Sequence, residues 1–407
     1  MIPEVRAKIK HIQLRSISEG YKKTKVGVIP DVWRCYQIHE CLSICNHERK
    51  PISEDVRKTI PGPYPYYGPT QAQGYIATYE SEGPAVLIGE DGDHFLKYKD
   101  REMTMYVDGK YTVNNHAHVL RGTELCETKW FYYAYQHKSL FDAITRQGAG
   151  RYKLTKEALI KLPLQCPPIE EQRKIISILN TQDKVIELKE KRLAEKQRQK
   201  KYLMQQLLTG KKRLPGFSGE WSFLKAKEIF QNISDKGHNG DLPVLSSTQD
   251  KGIVPRDEVD IDIKYDTCSL VTYKKVSKGN FVISLRSFQG GIEYSTYTGL
   301  VSPAYTVLSS RKEISDEYYK QFFKSTDYIN RLNVAVYGIR DGKQVSYEEF
   351  GRIRIPYPPI KEQATIAEVL SAADREIELL RQNIEQEKQK KKALMQLLLT
   401  GIVRVKV

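Results

Sequence analysis

Several short segments of the sequence combine acidic, basic and glycine residues in spacings that catalytic or metal sites use. Asp108-Gly-Lys110 and Asp341-Gly-Lys343 match the acid-x-lysine half of a nuclease site, although Asp-Gly pairs are also common turn formers. The run from Gly89 to His94 contains three carboxylates and a histidine, which are ligands for a hard cation. No segment pairs a nucleophile with its base, so we interpret these runs as tight turns.

The cysteine and proline segments lack the spacings and flanking residues of known metal and catalytic sites. Three cysteines and two histidines lie close in sequence, at Cys35, Cys41, Cys45, His39 and His47, but without the Cys-x-x-Cys spacing of zinc sites. Cys166-Pro-Pro-Ile and Tyr357-Pro-Pro-Ile are similar to the Asp/Asn-Pro-Pro-aromatic motif of amino-methyltransferases, yet both its first and last residues are missing. Phosphate loops and nucleotide fingerprints are also missing. The sequence therefore predicts no catalytic residue, no metal and no cofactor bound by this chain.

A segment in the middle of the chain recurs at its C-terminal end without a gap. Pro167-Pro168-Ile169 recurs as Pro358-Pro359-Ile360, a shift of 191 residues (358 − 167). The same shift relates Glu171-Gln172 to Glu362-Gln363, Ile186-Glu187-Leu188 to Ile377-Glu378-Leu379, and Leu207-Leu208-Thr209-Gly210 to Leu398-Leu399-Thr400-Gly401. Self-similarity at a fixed long period indicates a duplicated structural unit.

Each copy of the repeat has the pattern of one long helix. Prolines and acidic residues open it, and Gly210 or Gly401 stands where a helix commonly ends. Apolar residues recur every seven positions, at Leu179, Ile186 and Leu193 and again at Leu370, Ile377 and Ile384. Because the start of each helix is acidic and its end is rich in lysine, we predict that these stripes pair antiparallel.

The remaining sequence divides into an N-terminal segment (1–20) and two domains (21–165 and 211–356), which alternate with the helical segments (166–210 and 357–407). Apolar, β-branched runs broken by glycine predict strands in both domains. Short helices are predicted at 129–143 and 317–332. We expect an α+β chain with two similar globular domains separated by two long helices in an antiparallel coiled coil, with pseudo-twofold symmetry. Two domains with similar helices and strands but different loops are typical of recognition modules that bind different targets.

The charge balance indicates the class of partner. Lys and Arg outnumber Asp and Glu by 65 to 50, and the resulting net charge of +15 suits a polyanion such as double-stranded DNA. Hydroxyls, amides and arginine in the loops are groups that read base edges. The candidate DNA-binding residues are Tyr64, Tyr66, Tyr67, Thr70, Gln71, Gln73, Asn114, Asn115, His116, Ser246, Ser247, Thr248, Gln249, Arg286, Ser287, Gln289, Tyr337, Arg340 and Lys343.

The pattern resembles the specificity subunit of type I restriction–modification systems across nearly the whole chain. The resemblance rests on the paired Pro-Pro-Ile-x-Glu-Gln segments, on Leu87-Ile-Gly-Glu-Asp-Gly92, and on Lys278-Gly-Asn-Phe-Val-Ile-Ser284. It implies two target recognition domains, each reading one half of a split DNA site. It also implies that the helices set the spacer and dock two modification (methyltransferase) subunits, and it leaves open whether restriction subunits join. S-adenosylmethionine, ATP and Mg would then be bound by the partner subunits.

Hydropathy and cysteine spacing indicate where the protein is located. No apolar run reaches the roughly 18 residues that cross a bilayer, and the irregular cysteine spacing is typical of reduced thiols, so we expect a cytoplasmic protein without a membrane partner. One rival is a self-sufficient DNA methyltransferase or nuclease, which requires turnover by the purified chain. The other is a coiled-coil scaffold, which would bind DNA without sequence preference. We predict a non-catalytic recognition subunit.

Overall fold

The computed structural model describes residues 19–148, 151–249, 251–259, 267–285, 287–336 and 345–406. The chain forms two compact units, Met1–Leu188 with Ile384–Val407 and Lys189–Asn383. Both unit boundaries fall within the two long helices, so each unit holds part of each long helix together with β-sheets and short helices.

The first unit is built on two four-stranded sheets. One sheet is antiparallel and has the order Thr104–Val107, Ala85–Gly89, Ala117–Gly122 and Leu42–Ile44. The other has the order Ala72–Ile76, Pro61–Tyr67, Lys110–Val113 and Ser81–Glu82, with one parallel pair. Ala85–Gly89 is buried along its whole length, which explains why its sequence is a continuous apolar run without alternation.

Smaller sheets complete the first unit. Thr145–Gln147, Arg151–Lys153 and Asp91–Gly92 form three strands, while Tyr21–Thr24 pairs with Gly27–Pro30 and Arg34–Gln37 pairs with Pro163–Cys166. The core between these elements is strongly aromatic. Trp33 and Trp130 are fully buried and meet edge to face, with ring centroids 5.9 Å apart.

The described residues of the second unit form one four-stranded antiparallel sheet, in the order Phe230–Ile233, Thr306–Ser310, Phe281–Ile283 and Glu293–Tyr294. Three strand pairs surround it: Ser222–Lys225 with Arg354–Tyr357, Leu245–Thr248 with Gly252–Pro255, and Lys274–Val276 with Gly299–Val301. Phe230 lies at the centre of its core and contacts Phe281, Tyr319, Phe323 and Phe350.

Short helices in the first unit are Ile38–Cys41, Glu54–Thr59, Thr128–Tyr135 and Lys156–Ile160; in the second they are Ala226–Ile229, Ser287–Gly290, Asp316–Phe322, Thr326–Val336 and Tyr347–Arg352. Two of them differ from the predicted bounds. The helix predicted at 129–143 ends at Tyr135, because the next carbonyl, that of Gln136, accepts a hydrogen bond from the Met103 amide. The helix predicted at 317–332 is divided at Ser325, whose hydroxyl caps the second piece by accepting from the Tyr328 amide.

The two long helices are Ile169–Leu207 and Ile360–Leu398. Both begin directly after a Pro-Pro pair and each has 39 residues, far above the average helix length. Gly210 and Gly401 follow their ends with φ values of 71° and 72°, as predicted for helix-terminating glycines. A Cβ at Gly401 would also lie 2.5 Å from the ring of Pro30, so a larger residue would not fit there.

Within each unit the long helices pair antiparallel, which confirms the prediction. In the first unit Asp183 pairs with Lys391 at 2.7 Å, and Gln182 donates to the Glu387 carboxylate at 2.7 Å. In the second unit Lys200 pairs with Asp374 at 2.5 Å and Lys196 with Glu376 at 2.9 Å. Of the predicted pairing residues, Leu179, Ile186, Leu370, Ile377 and Ile384 are buried and Leu193 is half-buried.

A second duplicated contact joins the helix ends within each unit. The carboxylate of Glu171 is fully buried and accepts from Arg404 Nε and Nη2, at 2.5 and 2.7 Å, and from Trp33 Nε1 at 3.1 Å. In the second unit Glu362 accepts from Arg213 at 2.6 and 2.7 Å and from Trp221 at 2.9 Å. We call each carboxylate–arginine–tryptophan set a helix-end clamp. Each clamp fixes the start of one long helix to the residues that follow the other.

Candidate nucleic-acid interface

In the first unit two groups of predicted DNA-binding residues meet, those within 64–73 and those within 114–116, and we call these two segments the reading loops. Asn114 donates to the Gln73 side chain at 3.2 Å and accepts from the His116 amide at 2.8 Å, while the Gly68 amide closes a turn on the Gln71 carbonyl. Asn114 itself is buried; the exposed members of the set are Thr70, Gln71, Gln73, Asn115 and His116. We call these five residues the first polar rim. Their amides, hydroxyl and imidazole are available to solvent, and therefore to base edges.

The three predicted tyrosines of this unit have different surroundings. Tyr64 is half-buried and lies 5.0 Å from the ring of Tyr79. Tyr67 is also half-buried, and its own burial raises the pKa of its phenol. Tyr66 is buried, and its hydroxyl donates to the Lys50 carbonyl and accepts from the Ile52 amide. Tyr66 therefore supports the loop from beneath.

Two carboxylates of the acidic turn next to this rim, Glu90 and Asp91, contact basic side chains of the same unit. Glu90 contacts Arg49 at 2.7 Å and Lys153 at 3.2 Å, and Asp91 contacts His116 at 2.8 Å. Burial alone would raise the pKa of Glu90, but the hydrogen bonds from Arg49 and Lys153 lower it below its ordinary value. Arg49 and Lys153 thus neutralise Glu90 within the first unit, and the interpretation of this run as a tight turn stays a prediction.

In the second unit the predicted residues lie on a hairpin and a short helix. Ser246, Ser247 and Thr248 are half-buried on one strand, and Thr248 closes the turn by donating to the Gly252 carbonyl at 3.0 Å. Gln249 is exposed, and its backbone carbonyl accepts from Lys324 at 3.3 Å.

Of the other predicted residues of the second unit, one is exposed, one is buried and four lie outside the described residues. Gln289 is exposed, whereas Ser287 is buried and its hydroxyl accepts from the Ser284 amide at 2.8 Å. The remaining candidates, Arg286, Tyr337, Arg340 and Lys343, lie outside the described residues. The structure contains no nucleic acid, so every named reading residue stays a prediction.

Each unit also has a basic groove that the sequence did not predict. In the first unit a groove of about 400 Å³ is lined by Tyr106, Lys129, Arg173 and Lys184 among others, and Lys129 Nζ lies 4.3 Å from the Tyr106 ring centroid. In the second unit a groove of about 870 Å³ is lined by Tyr294, Lys200, Lys251, Lys320, Lys324 and Arg375 among others. Cationic side chains outnumber carboxylates in both linings. In the second groove Lys200, Lys320 and Lys324 form ion pairs with its three carboxylates, so the excess charge comes from Lys251 and Arg375. Excess positive charge is what phosphate groups require.

The cysteine and histidine residues that are close in sequence do not form one cluster: Cys35 packs against the core that contains Cys41, whereas His39 and Cys45 lie elsewhere. His39 Nδ1 lies 3.0 Å from the Ile160 carbonyl at the surface, and Cys45 lies in a different core cluster from Cys41. Cys41 instead lies beside Cys126 and Cys166, two residues far away in sequence. Sequence spacing gave no signal for that grouping.

Comparison with known proteins identifies the family. The family model for the type I restriction modification DNA specificity domain matches residues 30–197 and, a second time, residues 219–389. The chain belongs to this DNA specificity family. The repeated match confirms two related domains, and each match extends from a globular segment into the long helix that follows it.

Curated relatives of this specificity-family chain resemble it over most of its length. A putative type I restriction enzyme specificity subunit of Haemophilus influenzae is 25% identical over 353 residues, which are 82% of this chain and 85% of that protein. The putative MjaX specificity subunit of Methanocaldococcus jannaschii is 26% identical over 431 residues, covering 95% of this chain and 97% of that protein.

Solved structures share the fold. The S subunit of a type I restriction–modification system from M. genitalium has a TM-score of 0.59 at 14% identity, over 90% of this chain and 96% of that one. A chain from work on complex assembly and conformational transition of the type I R-M system has a TM-score of 0.53 at 16% identity, over 92% and 99%. These likenesses confirm the predicted fold class. Among the described residues of this chain, no helix has the length and apolarity needed to cross a bilayer.

Proposed function

We propose that this specificity-family chain is the DNA-reading subunit of a type I restriction–modification complex, and that each domain reads one half of a bipartite site. The proposal rests on one observation: the two units share the same structural contacts but differ in their exposed polar residues. Helix-end clamps, antiparallel helix pairs and basic grooves recur in both units. The exposed polar residues differ, since the first unit has the first polar rim and the second has Gln249 in a turn and Gln289 on a short helix.

Base contacts and phosphate contacts are divided between different surfaces in this proposal. Amides and hydroxyls on the loops read base edges, because they can both donate and accept in the major groove. Lysine and arginine in the basic grooves bind the sugar–phosphate backbone, which positions the duplex without reading its sequence. The net charge of +15 favours this second contribution.

The long helices determine the spacer between the half-sites. A helix of 39 residues is about 60 Å long at roughly 1.5 Å per residue, and the stripe of buried leucine and isoleucine makes the pair stiff. The same helix pair is also the surface to which two modification subunits bind. The modification subunits bind S-adenosylmethionine and catalyse methyl transfer. Restriction subunits, where they are present, catalyse the ATP-dependent reactions. This chain binds DNA in the cytoplasm and is non-catalytic.

The spacer role is tested by adding one heptad to each long helix. Seven residues lengthen a helix by about 10 Å, which corresponds to roughly three base pairs at about 3.4 Å each. The complex with its modification subunits is then expressed in cells, and methylated positions are mapped across the genome. We expect a longer spacer between unchanged half-sites; an unchanged spacer contradicts the proposal. Methylation by the purified chain alone would instead support a self-sufficient enzyme.

A further inference from the structure

Three cysteine side chains meet in the core of the first unit. The sulfur atoms of Cys41, Cys126 and Cys166 all lie within 4.8 Å of one another. Their side chains are almost entirely excluded from solvent, with residue exposures of 0%, 0% and 3%. The three residues come from a short helix, from the loop before Thr128–Tyr135, and from the end of a strand. We call this group the thiol cluster.

Hydrogen bonds of the backbone hold each of these elements in place. The helix that contains Cys41 is anchored by the Ile38 amide, which donates to the Leu162 carbonyl at 3.0 Å. The loop of Cys126 is anchored by the next amide, that of Glu127, which donates to the Gln172 side chain at 3.0 Å. Cys166 pairs in register with Arg34 in a two-stranded sheet. The sulfur atoms are therefore brought together by a rigid frame.

The second unit has the same frame without the sulfur atoms. The Ala226 amide donates to the Ile353 carbonyl, as Ile38 does to Leu162, so Ile229 occupies the position of Cys41. The Ser315 amide donates to Gln363, as Glu127 does to Gln172, so Ile314 corresponds to Cys126. The repeat in the sequence places Tyr357 at the position of Cys166. Ordinary apolar packing thus completes the core of the second unit, and this frame does not require thiols.

The triangle of sulfur atoms matches the size of a thiolate metal site. Three sulfur atoms at about 2.3 Å from a common ion lie about 4 Å apart, so the observed limit of 4.8 Å requires each sulfur to shift by about half an ångström at most. The cluster contains no histidine, aspartate or glutamate in the part of the chain that the structure describes. Such a donor set selects soft ions, since thiolate ligands favour Cu⁺ and Zn²⁺ over Mg²⁺ or Ca²⁺.

We infer that Cys41, Cys126 and Cys166 together bind one thiophilic closed-shell metal ion, Cu⁺ or Zn²⁺, as a structural site specific to the first recognition domain. Each thiol loses its proton to solvent when its sulfur–metal bond forms, so full binding releases three protons and changes no oxidation state. Attraction between the cation and the thiolates is strong because the cluster is shielded from water. The ion ties three elements of the domain together and is independent of DNA reading.

The experiment uses the full-length chain, purified under reducing, oxygen-free conditions and stripped of metal. Zn²⁺ and Cu⁺ are titrated separately, stoichiometry is measured by native mass spectrometry and elemental analysis, and the thermal midpoint is recorded with and without each ion. Cys126→Val and Cys41→Ala remove one ligand each. Cys45→Val is the matched control, because Cys45 is also buried but lies in another cluster.

We expect one ion per chain from at least one of the two metals, with a higher thermal midpoint in the loaded protein. Affinity falls by about 100-fold or more in either ligand variant and stays unchanged in Cys45→Val. Using two ligand variants keeps the result decisive if one of them fails to fold. Binding of neither ion at one per chain overturns the inference, as does equal binding by a folded ligand variant. Binding of one metal alone identifies the ion.

Discussion

Arg404 and Glu171 form a two-pronged ion pair, with Nε–Oε1 and Nη2–Oε2 distances of 2.5 and 2.7 Å. Glu171 lies in the first turn of one long helix, and Arg404 follows the end of the other. The glutamate side chain is fully buried, whereas the arginine side chain is about one-third exposed. This contact, with Trp33 as a third member, determines which ends of the two helices lie together in the first unit.

Removing the arginine should destabilise the first unit. Arg404→Ala leaves the buried Glu171 carboxylate with Trp33 as its remaining side-chain donor, and removal of one partner of a buried ion pair costs about 3 to 5 kcal/mol. We expect this loss in the free energy of unfolding, measured by urea denaturation. Arg213→Ala tests the matching clamp in the second unit, where Glu362 is also fully buried.

A surface arginine gives the control for both clamp variants. Arg198 contacts Glu195 on an exposed helix face, with side-chain exposures of 75% and 51%. Arg198→Ala should change stability by less than about 0.5 kcal/mol. Equal effects of Arg404→Ala and Arg198→Ala would show that the clamp contributes little.

The apolar stripe supplies a prediction with internal controls. Leu179 and Leu370 are fully buried, whereas Leu188 and Leu379 are 65% and 59% exposed on the same two helices. Leucine to alanine at either buried position should cost about 2 to 5 kcal/mol, because the change leaves a cavity. The same change at either exposed position should cost less than about 1 kcal/mol. Calorimetry on the four variants distinguishes them, and similar losses throughout would refute the assigned stripe.

Acid should weaken the first domain through His118. The imidazole is buried. Its Nε2 lies 2.8 Å from the Leu154 carbonyl oxygen, and its Nδ1 lies 2.9 Å from the side-chain amide nitrogen of Asn46. Burial lowers the pKa of His118 below its ordinary value of 6.5. As pH falls through 6.5, the unfolded chain takes up a proton that the folded imidazole does not, so stability decreases towards lower pH.

The size of that effect is measured by comparing wild type with His118→Gln between pH 7.5 and 5. The variant should be less stable at neutral pH but should lose less stability on acidification. Glu90, Arg49 and Lys153 lie in the same network and stay unchanged in both proteins. Parallel stability curves would show that His118 does not titrate in this range.

The first polar rim predicts an effect on one half-site alone. Gln71 is exposed, and its amide can form a paired hydrogen bond with adenine. Gln71→Ala should reduce discrimination in the first half-site by about 1 to 3 kcal/mol, the contribution of one paired contact to a base. Gln249→Ala should act on the second half-site only, and the exposed helix residue Gln199 serves as control. Competition binding of the complex with singly mutated DNA sites measures each effect; loss at both half-sites from one variant contradicts the assignment.

The long helices were predictable because their signals are local. Proline, acidic residues, a heptad stripe and glycine occur in order along one segment, and the observed helices follow them. The antiparallel pairing followed from charge, since Asp183 and Asp374 each meet a lysine from the late part of the other helix.

Contacts between distant segments were not predictable in the same way. Arg213 and Arg404 are related by the 191-residue shift, so the repeat contained a signal for the clamps, but only the folded chain shows that each contacts a buried glutamate. The thiol cluster gave even less signal, because its three residues have no repeat partner of the same type. The reading loops were identifiable by composition, yet burial separates Tyr66 and Ser287 from their exposed neighbours.

The central claim is that each domain independently reads half of the DNA site. The most direct measurement replaces residues 21–165 with the corresponding domain of a relative that has a different known specificity, and maps methylated positions in cells that contain the modification subunits. We predict that the first half-site changes to that of the relative, while the second half-site and the spacer stay the same. A change in both half-sites, or in neither, would contradict the account.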